Sequence, residues 1–425
     1  MDRDAIVRLD RAHVWHPYTP VDRWEKTDPI VVARAEGARL FDADGTAYLD
    51  GNSSWYVADL GHGHPRIVRA LKEQAERLAH VALAGITHEP AAALASELAG
   101  VAPRGLTRVF YTDNGSTSVE VAVKIALQTW QNLGAPEKKR FVALEGAYHG
   151  DTVAATSLGD VDVFKKPYAG VLFECVRAPF PDSARALQAI AEIVRREAKT
   201  IAAVVVEPIV QGTAGMRMHA PEHLAELRRV TREHDVLLVC DEVFTGYGRT
   251  GRMWACEHAD VAPDVMCLGK AFAAIVPMGA TLVTDRVYDA FRGREDALWY
   301  GHTFCGNPIG AALAREVLAI YRDERIVEQA QRKAPRIAEA FARIGAIPGV
   351  ARTRTLGMIG AADLAGASGY LGRAGWRVFD EARKRGAYLR PLGDTVYVCP
   401  PLVISEQDLD ALLGILEECV RAALR

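Results

Sequence analysis

Val236-Leu237-Leu238-Val239-Cys240-Asp241-Glu242 is an apolar run closed by two carboxylates. An apolar stretch with no polar alternation fits a strand buried on both faces. Ala202-Ala203-Val204-Val205-Val206-Glu207 repeats the pattern, and Phe141-Val142-Ala143-Leu144 is a shorter version of it. Residues 108–112 read as a further short strand. Helical patterns fill the gaps, from Pro65 to about residue 80, over 116–132 and over 221–234, with Pro221 suited to a first turn. Apolar strands separated by helices predict an α/β fold, with a mainly parallel sheet covered on both sides.

Outward from this centre the pattern changes. From Asn307 two long helical segments follow, then strand-like Met358-Ile359-Gly360-Ala361-Ala362. A helix around 375–384, a strand over 395–398 and an amphipathic helix from 405 to about 423 complete an α+β layout. The first sixty or so residues read as loop-rich, with short alternating segments such as Ala38-Arg39-Leu40-Phe41. The expected division is an N-terminal segment, 1–60, joining the small domain; a large domain, 61–306; and a smaller C-terminal domain, 307–425. A length of 425 residues suits one large and one smaller core.

Bulk properties exclude several classes of function. Apolar residues make up 49% and charged residues 25%, and the formal net charge is −3. That balance gives no electrostatic case for nucleic acid or an anionic membrane. No apolar stretch is long enough to cross a bilayer, and the Met-Asp-Arg-Asp start does not resemble a secretory signal. The seven cysteines are scattered and form no CxxC pair. Free thiols in a reducing compartment are expected, so the protein is expected to be cytoplasmic.

Four segments carry the chemistry. Asp241 ends an apolar strand at the sheet edge where open α/β folds bind ligands. A carboxylate there can pair with a protonated pyridine nitrogen and keep the ring an electron sink. Lys270 ends Asp264-Val265-Met266-Cys267-Leu268-Gly269-Lys270. In an apolar cleft its ammonium is disfavoured, leaving an amine able to attack a carbonyl. Asp113-Asn114-Gly115-Ser116 falls between a strand and a helix, where free N–H groups and a hydroxyl suit a phosphate. The fourth segment is Val204 to Pro208, with Glu207 at its strand end. Alone, each residue is more often a cap, a turn or a solvated side chain. Together, at parallel-strand ends, they describe a pyridoxal 5'-phosphate site.

Two other motifs compete. Gly246-Tyr247-Gly248-Arg249-Thr250-Gly251 matches GxGxxG, with Asp264 spaced like a ribose-binding acid. Four residues, Glu242 to Thr245, separate it from the preceding strand and no convincing helix follows, so a nicotinamide-dependent dehydrogenase is the weaker reading. Gly61-His62-Gly63-His64 lacks a matching ligand cluster, and no metal is assigned.

At Glu207-Pro208, Asp241-Glu242-Val243, the Gly246 to Gly251 loop and Leu268-Gly269-Lys270, the chain resembles the class III (ω-amino acid) aminotransferases over essentially its whole length. Further marks resemble the branch serving biotin biosynthesis: Trp15-His16-Pro17-Tyr18-Thr19, Asp50 to Trp55, Gly85-Ile86-Thr87-His88, Tyr148-His149-Gly150-Asp151-Thr152 and Arg390-Pro391-Leu392-Gly393. The resemblance implies the type I PLP-dependent transferase fold, with a large domain built on a seven-stranded type of sheet. It also implies a homodimer with shared active sites.

It further implies roles. Lys270 would hold the cofactor and shuttle the proton, Asp241 would pair with the pyridine nitrogen, and Glu207 would contact the cofactor. Gly115 and Ser116 would bind the phosphate and Tyr148 would stack on the ring. Gly301, His302 and Thr303 would reach the site from the partner subunit, with Thr303 on the phosphate. Tyr18 and Trp55 would line the substrate pocket and Arg390 would take a carboxylate. The implied reaction is transamination of 8-amino-7-oxononanoate to 7,8-diaminononanoate, with S-adenosylmethionine as amino donor. Lysine as donor, or a broad ω-amino acid aminotransferase using pyruvate or 2-oxoglutarate, are the alternatives. The chain departs from the family's frequent pattern at Tyr56, His302 and Ala273-Ala274, all near the substrate or phosphate.

Overall fold

The computed structural model describes residues 1–295, 297–365 and 369–425. At its centre Ile201–Val206 is buried along its whole length. It is flanked by Leu237–Asp241 and Arg140–Leu144, both parallel to it. The seven-stranded sheet runs in the order Leu106–Thr112, Gly279–Thr284, Val265–Leu268, Leu237–Asp241, Ile201–Val206, Arg140–Leu144, Val176–Ala178. Only Gly279–Thr284 is antiparallel to its neighbours. The apolar runs therefore lie side by side with their carboxyl ends on one edge.

The pleat explains why both faces are apolar. Val205, Val239 and Cys267 pack with the helix Gly115–Asn132 on one side. Val204, Leu238, Cys240 and Met266 point into the larger cluster on the other. Trp130 ties the helix Gly115–Asn132 to the sheet through Nε1, which donates to Ala202 O at 2.8 Å.

A second sheet joins the two ends of the chain. Val32–Glu36, Arg39–Asp42 and Ala47–Asp50 form an antiparallel meander, and Ala387–Tyr388 adds to it in parallel, pairing with Leu49 and Asp50. A three-stranded antiparallel sheet, Val350–Leu356, Ile359–Leu364 and Thr395–Val398, packs under Ile326–Gly345. Among the described residues no helix is long and apolar enough to cross a membrane.

The sequence reading differs from the structure in places. The first sixty residues are more regular than a loop: Arg3–His13 is a helix whose Asp2 cap accepts from Ala5 N at 2.7 Å. Only Val7 on it is buried, so it carries almost no apolar stripe to read. The helices Glu89–Val101 and Ala184–Glu197 and the strands Val176–Ala178, Gly279–Thr284 and Val350–Leu356 were also not anticipated.

Candidate active site

The carboxyl edge of the sheet surrounds a cavity of about 710 Å³. Asp241, Glu207, Tyr148, Gly115, Ser116 and Lys270 all line it. They follow or end five different strands, Gly115 and Ser116 sharing one, so the sheet converts five distant stretches of sequence into one neighbourhood.

Asp241 is buried. Its Oδ2 lies 2.7 Å from His149 Nδ1, and its Oδ1 accepts from Val243 N at 3.1 Å. Glu207 is also buried, and its two oxygens accept from Tyr148 N (3.0 Å) and Gly212 N (2.9 Å). Burial is the main cause that pushes its carboxyl up to about 7, against lowering by His149 and the Tyr148 N–H.

Lys270 sits between two aromatic faces, with Nζ 5.3 Å from the Tyr56 ring centre and 5.7 Å from that of Phe244. Burial lowers its pKa, while Asp241, Glu207 and Asp59 oppose the shift. The backbone there is left-handed, with φ 50° at Lys270. Gly269 allows this close turn, since a Cβ on it would lie 2.8 Å from Gly115 N.

Gly115 and Ser116 open the helix Gly115–Asn132, capped by Asn114, whose Oδ1 accepts from Thr117 N at 3.0 Å. The helix leaves its first amides unpaired internally and concentrates positive potential there. Ser116 Oγ is held 2.9 Å from Thr152 Oγ1 and accepts from Thr152 N at 3.0 Å.

A second cavity, of about 350 Å³, is lined by Tyr18, Trp55, Trp376 and Arg390. The Arg390 guanidinium stands 5.1 Å from the Trp55 ring centre and 5.7 Å from that of Trp376. Among the described residues no carboxylate pairs with it. Its backbone N donates to Asn52 Oδ1 at 2.7 Å. Where the cavities approach one another, Asp151 accepts from both Tyr18 OH and Tyr148 OH, and the two hydroxyls are 3.1 Å apart.

Trp55 and Tyr56 reach these places through an unusual turn. Ser53, Ser54, Trp55 and Tyr56 have φ of 47°, 46°, 62° and 68°, a left-handed turn made entirely of non-glycine residues. Each such residue costs about 1–2 kcal/mol. Asp50 holds it by accepting from Ser54 N and Ser54 Oγ, and Tyr56 OH lies 2.7 Å from Tyr397 OH. The turn sends Trp55 to the Arg390 cavity and Tyr56 to the Lys270 cavity.

Gly301, His302 and Thr303 do not line either cavity, and Gly301 and Thr303 are exposed. The GxGxxG loop is a buried structural turn. Arg249 within it pairs with buried Asp59 and donates to Pro400 O at 2.7 Å. Asp264 is spent on Arg228 (2.6 Å) and Leu238 N (2.8 Å). His62 pairs with Asp50 and His64 with Glu324, so the two histidines share no ligand set. His149, Asp151 and Trp376 were missed as site residues, although the first two stand inside a quoted motif.

Residues 21–420 match the Aminotransferase class-III family. The chain belongs to the class III aminotransferases. It is an enzyme of the pyridoxal-phosphate-dependent transaminase kind. The adenosylmethionine-8-amino-7-oxononanoate aminotransferase of Geobacter sulfurreducens is 39% identical, across 99% of this chain and 98% of the relative. The protein of the same name from Synechococcus elongatus is 41% identical, across 96% and 99%. The crystal structure of the Methanocaldococcus jannaschii protein of that name superposes with a TM-score of 0.97 at 30% identity, covering 99% of each chain. An (S)-enantioselective ω-transaminase from Thermomicrobium roseum superposes at 0.95 with 28% identity over both whole chains.

The residues fit the class III cofactor. A buried carboxylate, a lysine amine between aromatic rings and a helix start backed by glycine surround one cavity. His149 Nε2, on a residue lining the cavity, is a buried side-chain atom without a hydrogen-bond partner among the described residues, consistent with a polar guest.

Proposed function

We propose that this class III aminotransferase converts 8-amino-7-oxononanoate to 7,8-diaminononanoate, with S-adenosylmethionine as amino donor, in biotin biosynthesis. The observation that carries the reading is Arg390. A guanidinium that no carboxylate pairs with among the described residues, flanked by Trp55 and Trp376, suits the carboxylate of a long aliphatic acid whose chain lies against indole. The names of full-length relatives at about the same identity support the same acceptor and donor.

Pyridoxal phosphate, when bound, supplies the carbonyl that takes up and releases the amino group, and a ring that spreads the developing negative charge. The chain's residues do the rest. Asp241, fixed by His149 and Val243 N, would keep the ring nitrogen protonated. Lys270 Nζ would anchor the cofactor, then carry a proton between the donor carbon and the cofactor, its amine kept available by burial. Gly115 and Ser116 would hold the phosphate, Tyr148 would cover the ring and Glu207 would support it. Asp151, with Tyr18 and Tyr148, would receive the cationic 8-amino end of the acceptor, so the keto carbon faces Lys270. His302 and Thr303 would complete the phosphate site of a second copy, which makes the proposed unit a homodimer. Seven free cysteines, none paired in the structure, support a cytoplasmic setting.

The test is a product assay on the cofactor-loaded protein. 7,8-diaminononanoate from 8-amino-7-oxononanoate and S-adenosylmethionine is the expected result. Product with lysine alone would change the donor. No product with either, but turnover of other ω-amines with pyruvate, would replace the reading with a broad ω-transaminase.

A further inference from the structure

The fold brings together three metal-ligating side chains that the transamination chemistry does not use in that capacity. His302 Nδ1 lies 2.6 Å from Asp113 Oδ2, although 189 residues separate them. Cys305 Sγ joins the group, and one ligand atom from each of the three lies within 4.8 Å of the others. The backbone N–H of His302 donates to Cys305 Sγ at 3.1 Å, which fixes the sulfur beside that residue. Asp113 Oδ1 is a buried atom with no hydrogen-bond partner. That leaves a carboxylate oxygen with lone pairs facing protein and nothing donating to them.

We propose that Asp113, His302 and Cys305 form a binding site for a borderline-soft divalent cation, with Zn²⁺ as the best match. The donor set is one imidazole nitrogen, one thiolate sulfur and one carboxylate oxygen, the ligand types zinc takes in protein sites. Hard cations such as Mg²⁺ prefer all-oxygen sets, which this is not. Tetrahedral zinc needs ligand atoms about 3.5 Å apart, so rotamer adjustments from the present spacing suffice. The cation replaces the His302–Asp113 hydrogen bond, displacing the proton between them and the thiol proton of Cys305. Three protein ligands leave a fourth position for water or an exogenous anion.

The site's place in the chain gives it a consequence. Asp113 immediately precedes Asn114, Gly115 and Ser116, the helix start expected to take the cofactor phosphate. His302 and Cys305 flank Thr303 on the loop expected to serve a second copy. A cation would pin both segments to one another.

The experiment uses purified holoenzyme, reduced and stripped of metal, titrated with Zn²⁺ and then with Co²⁺ as a spectroscopic probe. The expected result is one Zn²⁺ per protomer retained through gel filtration. Co²⁺ should give visible bands of tetrahedral intensity together with thiolate-to-cobalt charge transfer. Cys305→Ser should remove the charge-transfer band and weaken binding at least tenfold, and His302→Gln should weaken it similarly. Circular dichroism spectra and melting temperatures close to wild type in both variants show that they are folded. Retention of less than a tenth of an equivalent by the wild type would overturn the proposal. So would stoichiometric binding that neither variant changes, since the ion would then sit elsewhere.

Discussion

His149 Nδ1 lies 2.7 Å from Asp241 Oδ2, with both side chains buried and 92 residues between them. Among the described residues Asp241 has one other donor, Val243 N. Replacing His149 with Ala removes a hydrogen bond to a charged group, worth about 1.5–3 kcal/mol. That predicts a fall in kcat of roughly ten- to a hundredfold, with cofactor still bound. Steady-state kinetics beside cofactor absorbance checks it, and an unchanged kcat would show that Asp241 holds its place alone.

Lys270 has no substitute in the cavity. The Lys270→Ala variant should lose turnover by roughly 10²–10⁴-fold or more, and borohydride treatment should no longer fix the cofactor to the chain. Mass spectrometry of the reduced protein reads this directly, and a covalently labelled variant would move the anchoring role to another amine.

In the proposed reading Arg390 would act on the acceptor rather than on the proton. Arg390→Lys keeps the charge but loses the planar fork. The expectation is a roughly ten- to hundredfold rise in KM for the carboxylate acceptor, from about 1.5–3 kcal/mol of lost interaction, with kcat little changed. A variant with wild-type KM would place the acceptor carboxylate elsewhere.

Glu207 makes stability pH-dependent. Its folded pKa, about 7, is above its ordinary value of 4.5, chiefly through burial. A raised acid contributes stability that is present below pH 4.5 and lost as pH rises through 7. In the cofactor-free protein the loss amounts to about 3 kcal/mol. Glu207→Gln abolishes that slope but sets an amide N–H against one of two backbone donors, costing about 1–3 kcal/mol at every pH. The variant should therefore be the weaker protein at pH 5 and should recover relative to wild type by pH 8. Urea unfolding at the two values checks this, and parallel pH curves would contradict it.

The legible part of the molecule was the part built from long apolar runs. Strands such as Ile201–Val206 and Leu237–Asp241 declare themselves because burial on both faces demands continuous apolar residues, and their closing residues fall where ligands bind. Partners set by tertiary approach were not legible. Nothing local links His149 to Asp241 or Asp113 to His302. The left-handed turn at Ser53–Tyr56 contains no glycine, so the usual signal for positive φ is missing. The Gly246–Gly251 loop works in the opposite sense: its glycines match a dinucleotide pattern but serve a turn that buries Arg249 against Asp59.

That pair gives a stability prediction. Arg249→Met strands the Asp59 carboxylate in the interior, at a cost of about 3–5 kcal/mol. Adding Asp59→Asn should restore part of the loss. Thermal unfolding of the single and double variants decides it; equal losses in both would show that Arg249 contributes by packing alone.

The hydrogen bond from Arg390 N to Asn52 Oδ1 spans 338 residues. At ribosomal rates of about 5–20 residues per second, roughly 20 to 70 s pass between the synthesis of its two partners. During that interval Tyr18 and Trp55 have no finished surface to dock on. The Arg390 cavity is thus among the last places to close on a newborn chain. A ribosome stalled before Arg390 would hold a protein with most of its Lys270 cavity and none of the guanidinium of the other.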